Sequence, residues 1–539
     1  MKRREFLGYS ALGGLLLSTA GTMGYALSRQ PPNGAAPSSL AALPKGGEPL
    51  QPLPRIVNLS SGGRFRSVLT PGPHSVPLSD ELEARLWLYN GKVAPLIEVR
   101  EGDELDITLI NELEQETTLH WHGVPVPQAH DGAPWDAVAP GESRQYRYTF
   151  PPGSAGLHWF HPHPHEGTAW QVAHGLAGAL LVRPAEEGLP AELEEHLLVV
   201  SDLRLRANGE VAPHTAEDWM NGREGELLLV NGQREPRLDV APGTTLRLRL
   251  INACAGRYLR LRLDEHELVL IGTDGGLIER PQALQELLLT PGERADLLVR
   301  VSERAEGYFQ LASHPYERGW MGARPPHLDE VAPLLAIHTL DSDIHTPVSL
   351  PERLGRVEPL GEPAVQRRVE LTEMMPGHDT HAPGDDGPHA GHGDPHAGHG
   401  GGSGSHHGTH GPGHVADHAM DEPAMPSEVD FLINGRAFVM DEILFEGRVG
   451  EVEEWEVFNN SHMDHPFHVH GIHFQVIAIR DAEGEWQEAP WLAWKDTVNL
   501  APYQRLKLRM VFREPGDWLF HCHIIEHEEL GMMATIRIR

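Results

Sequence analysis

The sequence predicts an all-β chain of three consecutive β-sandwich domains, and three observations lead there. The composition is rich in turn formers, with 57 Gly, 45 Pro and only 22% charged residues, which favours short strands and tight turns over helical bundles. The length of 539 residues with 40% hydrophobic content suffices for about three cores. The third observation is an internal repeat. Glu101-Gly102-Asp103 leads through alternating apolar residues to Asn111, Pro242-Gly243-Thr244 to Asn252, and Val449-Gly450-Glu451 to Asn459, with nine residues from Gly to Asn each time. Leu105, Ile107 and Leu109 show the period of two expected of a strand with one buried face. A second strand-like run follows in each copy: Pro140-Gly141 to Gly156, Pro291-Gly292 to Gly307 and, more loosely, Pro502 to Gly516.

In chain order, residues 1–45 read as an export signal and linker. Lys2-Arg3-Arg4-Glu5-Phe6-Leu7, followed by a mildly apolar stretch to about Leu27, resembles a twin-arginine (Tat) signal. Its many glycines and serines favour export over a membrane anchor, and Gly24-Tyr25-Ala26 offers a small-residue cleavage site. The Tat export machinery is thus an expected partner, and the periplasm or cell exterior the expected location. The three domains are expected over 46–187, 188–347 and 366–539, the last with a His- and Met-rich insertion over 374–425. A net charge of −33 argues against nucleic acid as a partner. Two cysteines among 539 residues build no disulfide framework.

The repeat places the 35 histidines selectively. Nine and eleven residues after the Asn, the first copy has His120 and His122, the third has His468 and His470, and the middle has Leu261 and Leu263. Five and seven residues after the second Gly stand His161 and His163 in the first copy and His521 and His523 in the third. The middle copy has Ala312 and His314 there and reads as a spacer.

Residues i and i+2 of a strand share a face, so each His-X-His delivers two imidazoles side by side. Imidazole suits several transition metals, and the residue between the pair decides. In the third domain it is Cys522, which the pleat turns to the opposite face, whereas the first domain has Pro162, which offers no ligand. A second site is therefore available in domain three, with His465, His527 and Met532 as further ligands; two His, one Cys and a weak Met are a blue-copper set. Zinc would use one site of three or four ligands, far fewer than are aligned here. Cys254 reads as a buried inert thiol.

The motifs His120-Trp121-His122-Gly123, Trp159-Phe160-His161-Pro162-His163, His465-Pro466-Phe467-His468-Val469-His470-Gly471 and His521-Cys522-His523-Ile524-Ile525-Glu526-His527, closing at Met532, resemble those of the three-domain multicopper oxidases over about residues 52 to 539. The resemblance implies cupredoxin-like Greek-key sandwiches and four coppers. It implies a type 1 copper on His465, Cys522, His527 and Met532, a type 2 copper on His120 and His468, and a type 3 pair on His122, His161, His163, His470, His521 and His523. His158 and His165 fall outside the ligand positions. The implied reaction takes single electrons from a donor at the type 1 site and reduces O2 to two waters at the trinuclear cluster. Its protons require a carboxylate relay, for which Asp131 and Glu528 are the candidates.

The donor is the open question. Residues 374–425 hold 11 of the 35 His, with Pro388-His389-Ala390-Gly391-His392-Gly393 repeated as Pro395-His396-Ala397-Gly398-His399-Gly400. This resembles the insertion of the bacterial copper-efflux, or cuprous, oxidases, and implies Cu(I) as donor, with Met463 as its contact. Met374, Met375, Met420, Met425 and Met440 are further soft ligands. In that branch an acid accompanies this Met; here the position is Ser461, with Asp464 displaced nearby. Laccase activity on phenols is the alternative, and a non-enzymatic copper-sequestering protein a third reading. Four His-X-His pairs argue against a two-domain nitrite reductase, and retention of the ligands argues against the oxidase-fold cell-division proteins.

Overall fold

The computed structural model describes residues 46–78, 82–374 and 429–539. The export signal and almost all of the His-rich insertion lie outside the described residues. No helix among those described is long and apolar enough to cross a membrane.

Each repeat copy folds as one sandwich. The strand leading to the repeated Asn, at Glu104–Ile110, Thr245–Asn252 or Val452–Asn459, lies between a parallel neighbour and an antiparallel one in every domain. Domains two and three are built to one plan, each with a six-stranded and a five-stranded sheet whose strands follow the same order. In the first domain the facing sheet runs Leu96–Arg100, Gly178–Arg183, Gly156–His161, His120–His122. In the third it runs Phe445–Gly447, Met533–Ile538, Gly516–Cys522, His465–Val469, Thr497–Leu500.

The period-two pattern buries what it predicts: Leu105, Ile107 and Leu109 have no exposed surface. Asp106 breaks the alternation and is also buried, because Gln145 Nε2 and Arg147 Nη2 donate to its carboxylate at 2.6 and 3.0 Å. The repeat's Gly and Asn have separate reasons. Gly102, Gly243 and Gly450 turn into the strand at φ +87°, +75° and +82°, in the left-handed region where a Cβ is strained. The three Asn are fully buried and tie down the loops around them. Asn111 Nδ2 donates to Gln115 O and Val138 O, Asn252 Nδ2 to Arg257 O and Leu289 O, and Asn459 Nδ2 to Met463 O and Leu500 O.

Each sandwich has its own core, the third rich in large rings such as Trp455, Phe467, Trp518 and Phe520. Burying an apolar side chain of this class contributes about 1.5–3 kcal/mol. Smaller clusters join the domains. Leu157 and Trp159 of the first pack on Val199 and Ile251 of the second, and Ala133 of the first on Leu519 and Met533 of the third. The seam between domains one and three is where the histidines meet.

Candidate metal centre

Sheet register performs the first step of assembly. Strand His120–His122 runs antiparallel to Gly156–His161 with His120 opposite His161, and His465–Val469 runs antiparallel to Gly516–Cys522 with His468 opposite His521. The eight paired histidines are all at most 1% exposed. Across the seam, His120 stacks on His470 and His122 on His468, both at 3.9 Å between ring centres. Their nitrogens gather within 4.8 Å in overlapping groups: His120, His122 and His161; His120, His468 and His470; His163, His470 and His521.

The hydrogen bonds fix which nitrogens face inward. A backbone carbonyl can only accept, so Nδ1 of His120, His161, His468 and His521 carries the proton it donates to Asp131 O, Pro162 O, Asp496 O and Cys522 O, at 2.8–2.9 Å. Their Nε2 atoms are left with lone pairs, and those of His120, His161 and His468 have no hydrogen-bond partner. His470 Nδ1 donates to Asp131 Oδ2 at 2.8 Å, which leaves its Nε2 facing that of His521 at 3.0 Å. Two lone pairs at that separation repel unless a cation takes up both. Burial, reinforced by neighbouring imidazoles, pushes His161, His163, His470, His521 and His523 well below the usual imidazole value. They are neutral, the state a metal ligand requires. Buried and neutral, and with the inward-turned Nε2 atoms of His120, His161 and His468 unpartnered, this set of donors fits copper ions.

Cys522 lies on the other face of its strand. Its Sγ is 3.4 Å from His465 Nδ1 and 3.9 Å from His527 Nδ1, and all three residues are buried. His527 Nε2 donates to Met220 O at 3.1 Å, so its Nδ1 bears a lone pair. Ser461 Oγ donates to Asn459 Oδ1 at 2.7 Å and accepts from His465 Nε2 at 2.9 Å, which turns that Nδ1 to the sulfur as well. Ser461 is thus the group that orients His465. Met532 is fully buried in the same core, and its backbone O accepts from Cys522 N at 3.0 Å. Phe431 covers His527, the rings stacked at 3.8 Å.

Both relay candidates lie against the cluster. Asp131 accepts from His470 through its carboxylate and from His120 through its carbonyl. Glu528 is 3.4 Å from His163 and 3.2 Å from His521, and burial, followed by the charges of Glu529 and Glu526, raises its carboxyl well above the usual range. Met463 is fully buried, two residues from His465. Asp464 is engaged elsewhere, accepting from Tyr316 Oη and Asn499 Nδ2 at 2.7 Å. Met374 is exposed and Met440 half-buried, whereas Met375, Met420 and Met425 lie outside the described residues. His158 and His165 enter none of the metal-donor groups among the described residues. Cys254 is buried and unpaired, its thiol pushed well up by burial.

Sequence reasoning missed several groups. Asp496 of the third domain is fully buried, and its Oδ1 accepts from His122 Nε2 at 3.0 Å and from Thr497 Oγ1 at 2.8 Å. Burial alone would raise the Asp496 carboxyl, but the charges and hydrogen bonds of Arg294 and His122 together outweigh it and hold the group well below the usual carboxylate range. Glu373, adjoining the insertion, accepts from the side chain and backbone N–H of His462, and its other oxygen is buried without a partner. A lone acid outside any His-X-His offers no signal in one sequence. The middle domain does more than separate the other two: Gly292 packs so closely on His523 that a Cβ there would lie 2.8 Å from the ring.

Three multicopper oxidase family models match the chain, over residues 73–187, 194–338 and 412–539. The solved structure of a multicopper oxidase from Campylobacter jejuni, described as a metallo-oxidase, is 35% identical with a TM-score of 0.77, covering 92% of this chain and 96% of that one. A laccase-like multi-copper oxidase from Ochrobactrum sp., with oxidase activity towards lignin model compounds, is 26% identical with a TM-score of 0.70, covering 90% of this chain and all of that one. A multicopper oxidase of Staphylococcus aureus is 27% identical over 84% of this chain and 83% of its own length. The three sandwiches are cupredoxin-like, and with this fold and these relatives the chain belongs to the multicopper oxidases, oxidoreductases that use copper.

Proposed function

We propose that this protein is a metallo-oxidase that couples oxidation of Cu(I) to reduction of O2, with phenol oxidation as a secondary capacity. His465, Cys522, His527 and Met532 would hold a mononuclear type 1 copper. His120 and His468 would hold a type 2 copper, and the remaining six histidines of the pairs a type 3 pair. Four coppers so held supply one-electron acceptance at the first site and four-electron reduction of O2 to two waters at the second.

The chain's own residues supply the rest. Cys522 is bonded in sequence to His521 and His523, and the His521 Nδ1 to Cys522 O bond of 2.8 Å adds a second link between the two sites. Asp131 Oδ2 holds the His470 ring, and Glu528, kept protonated by burial, stores a proton beside His163 and His521. The packed surroundings of Cys522 keep bulk water from its sulfur.

The observation that favours Cu(I) lies above His465. Glu373 and the half-exposed His462 form an ion pair with one carboxylate oxygen unpartnered, and each adjoins a methionine in sequence, exposed Met374 and buried Met463. Through this pair Glu373, the residue before Met374, meets His462, the residue before Met463, and imidazole, carboxylate and thioether are ligand types that a small metal cation takes. The relative described as a metallo-oxidase supports the same reading. Phenols are favoured by a cavity of about 390 Å³ between domains two and three, lined by Leu288, Val476, Ile479 and Trp491 and reaching Asn499, the strand partner of Pro466. We also propose Tat export on the basis of Lys2-Arg3-Arg4.

Met374 pairs with Asp430 across the base of the insertion, so residues 378–418 can be removed with residues 375–377 and 419–429 left to join the two strands. Oxygen uptake with Cu(I) and with a phenol, before and after that deletion, tests the reading. Cu(I) turnover should fall and phenol turnover rise; equal effects on both, or no uptake with Cu(I) in the intact protein, would overturn it.

A further inference from the structure

The middle domain contributes no histidine pair, yet one of its side chains reaches the histidine cluster. Arg294 begins a strand of the second domain, and its side chain is 1% exposed. Its Nη1 donates to Asp496 Oδ1 at 2.8 Å and its Nη2 to Asp496 Oδ2 at 2.5 Å, a bidentate fork on the third domain. Nε donates to Leu157 O of the first domain at 3.1 Å, and the remaining bonds go to Gly292 O and Asp274 O of its own. One guanidinium thus ties all three domains together beside the cluster.

The clamped carboxylate faces an unusual ligand. His120, His161, His468, His470 and His521 anchor Nδ1 and turn Nε2 inward, whereas His122 anchors Nε2 on Asp496 at 3.0 Å and presents Nδ1, 3.2 Å from His523 Nε2. A charged carboxylate only accepts, so the proton sits on Nε2 of His122 and the lone pair on Nδ1. The neighbouring sequence is shaped to this pair. Gly123 has φ +82°, and a Cβ there would lie 2.2 Å from Arg294 Nη2 and 2.6 Å from Asp496 Oδ2. The glycine of His120-Trp121-His122-Gly123 is the space the ion pair occupies.

We propose that Arg294 is a positioning residue of the histidine cluster: by clamping Asp496 it fixes the tautomer and rotation of His122, so the domain without ligands sets the geometry of a ligand from another. The inference rests on the reading of the eight histidines as a copper cluster. A buried ion pair that merely glued domains together would contribute little net stability, and its loss would not single out one metal site.

Full-length Arg294→Met, which removes the charge at similar length, and Arg294→Lys, which keeps the charge but loses the fork, are loaded with copper beside the parent protein. Copper per chain, the visible band of the Cys522 site and the electron paramagnetic resonance of the non-blue copper are measured. In Arg294→Met the visible band should persist while cluster copper affinity falls about 10–100-fold, the usual cost of losing a partner that orients a ligand. Arg294→Lys should bind more copper than Arg294→Met and show an altered non-blue signal. Parental copper content and an unchanged non-blue signal in Arg294→Met would overturn the proposal. If Arg294→Met does not fold, the lysine variant decides, an unchanged signal counting against and an altered one in favour. A parent protein that takes up copper only at the Cys522 site would overturn the cluster reading and this inference with it, whereas a variant equal to its parent overturns this inference alone.

Discussion

Asp131, in the first domain, accepts a hydrogen bond of 2.8 Å through Oδ2 from Nδ1 of His470, in the third. The bond crosses the seam and leaves His470 Nε2 aimed at His521. His120 is held instead by the Asp131 backbone carbonyl, so a side-chain substitution spares it. Asp131→Ala is expected to lower O2 reduction about 10–100-fold with the visible band unchanged, as for other lost partners of metal-binding histidines. Oxygen-electrode rates at full copper loading check this, and parental rates would remove Asp131 from the mechanism.

Phe431 lies flat on His527, with ring centres 3.8 Å apart and planes 15° apart, and has no exposed surface. Phe431→Ala should cost about 3–5 kcal/mol by the cavity it leaves. The opened space also lets water approach Cys522, so the visible band should shift or weaken. Denaturant unfolding and the absorption spectrum report the two effects, and an unshifted band in a destabilised protein would show that the ring only fills space.

A pH dependence of stability follows from Asp136. Burial raises its carboxyl to about 6 from the ordinary 3.8, with Asp131 adding to the rise and Arg144 opposing it. A carboxyl raised in the fold contributes stability that is fully present below its unfolded value near 4 and is lost as pH rises through 6. The loss is ~3 kcal/mol for a shift of about two units. Asp136→Asn removes this titration, so the stability difference between parent and variant should change by that order between pH 4 and 6.5. A difference that stays constant over that range would contradict it.

Glu373 bears on donor choice. Burial raises its carboxyl, but the hydrogen bond and charge of His462 and the charge of His465 outweigh burial and hold it below the usual range. Glu373→Gln takes the charge from the Glu373–His462 pair and should raise the KM for Cu(I) about tenfold, equivalent to ~1.4 kcal/mol. The KM for a phenol should stay within twofold of the parent value, and equal loss on both donors would point instead to an effect through His465.

Much of the chemistry was legible because it is local. A strand puts residues i and i+2 on one face whatever surrounds it, so His120 with His122 and His521 with His523 could be paired on paper, and Cys522 set opposite them. Less local features were not. Ser461 reads as the loss of an acid, yet its hydroxyl turns His465 toward Cys522. Met463, read as a donor contact, has no exposed surface, whereas the neighbouring His462 is half-exposed and paired with Glu373, which the one-dimensional pattern passed over.

By itself the sequence determined three sandwiches, the faces that bear histidines and the one cysteine set opposite such a pair, because strand period and repeat register are properties of neighbouring residues. Only the tertiary structure decided which nitrogen of each imidazole faces inward. That depends on acceptors far along the chain, such as Asp131 for His470 and Asp496 for His122. It also decided that Arg294, 202 residues before Asp496, clamps that carboxylate. A buried charge is stable only where folding brings its partner, and no local pattern records where that partner will be.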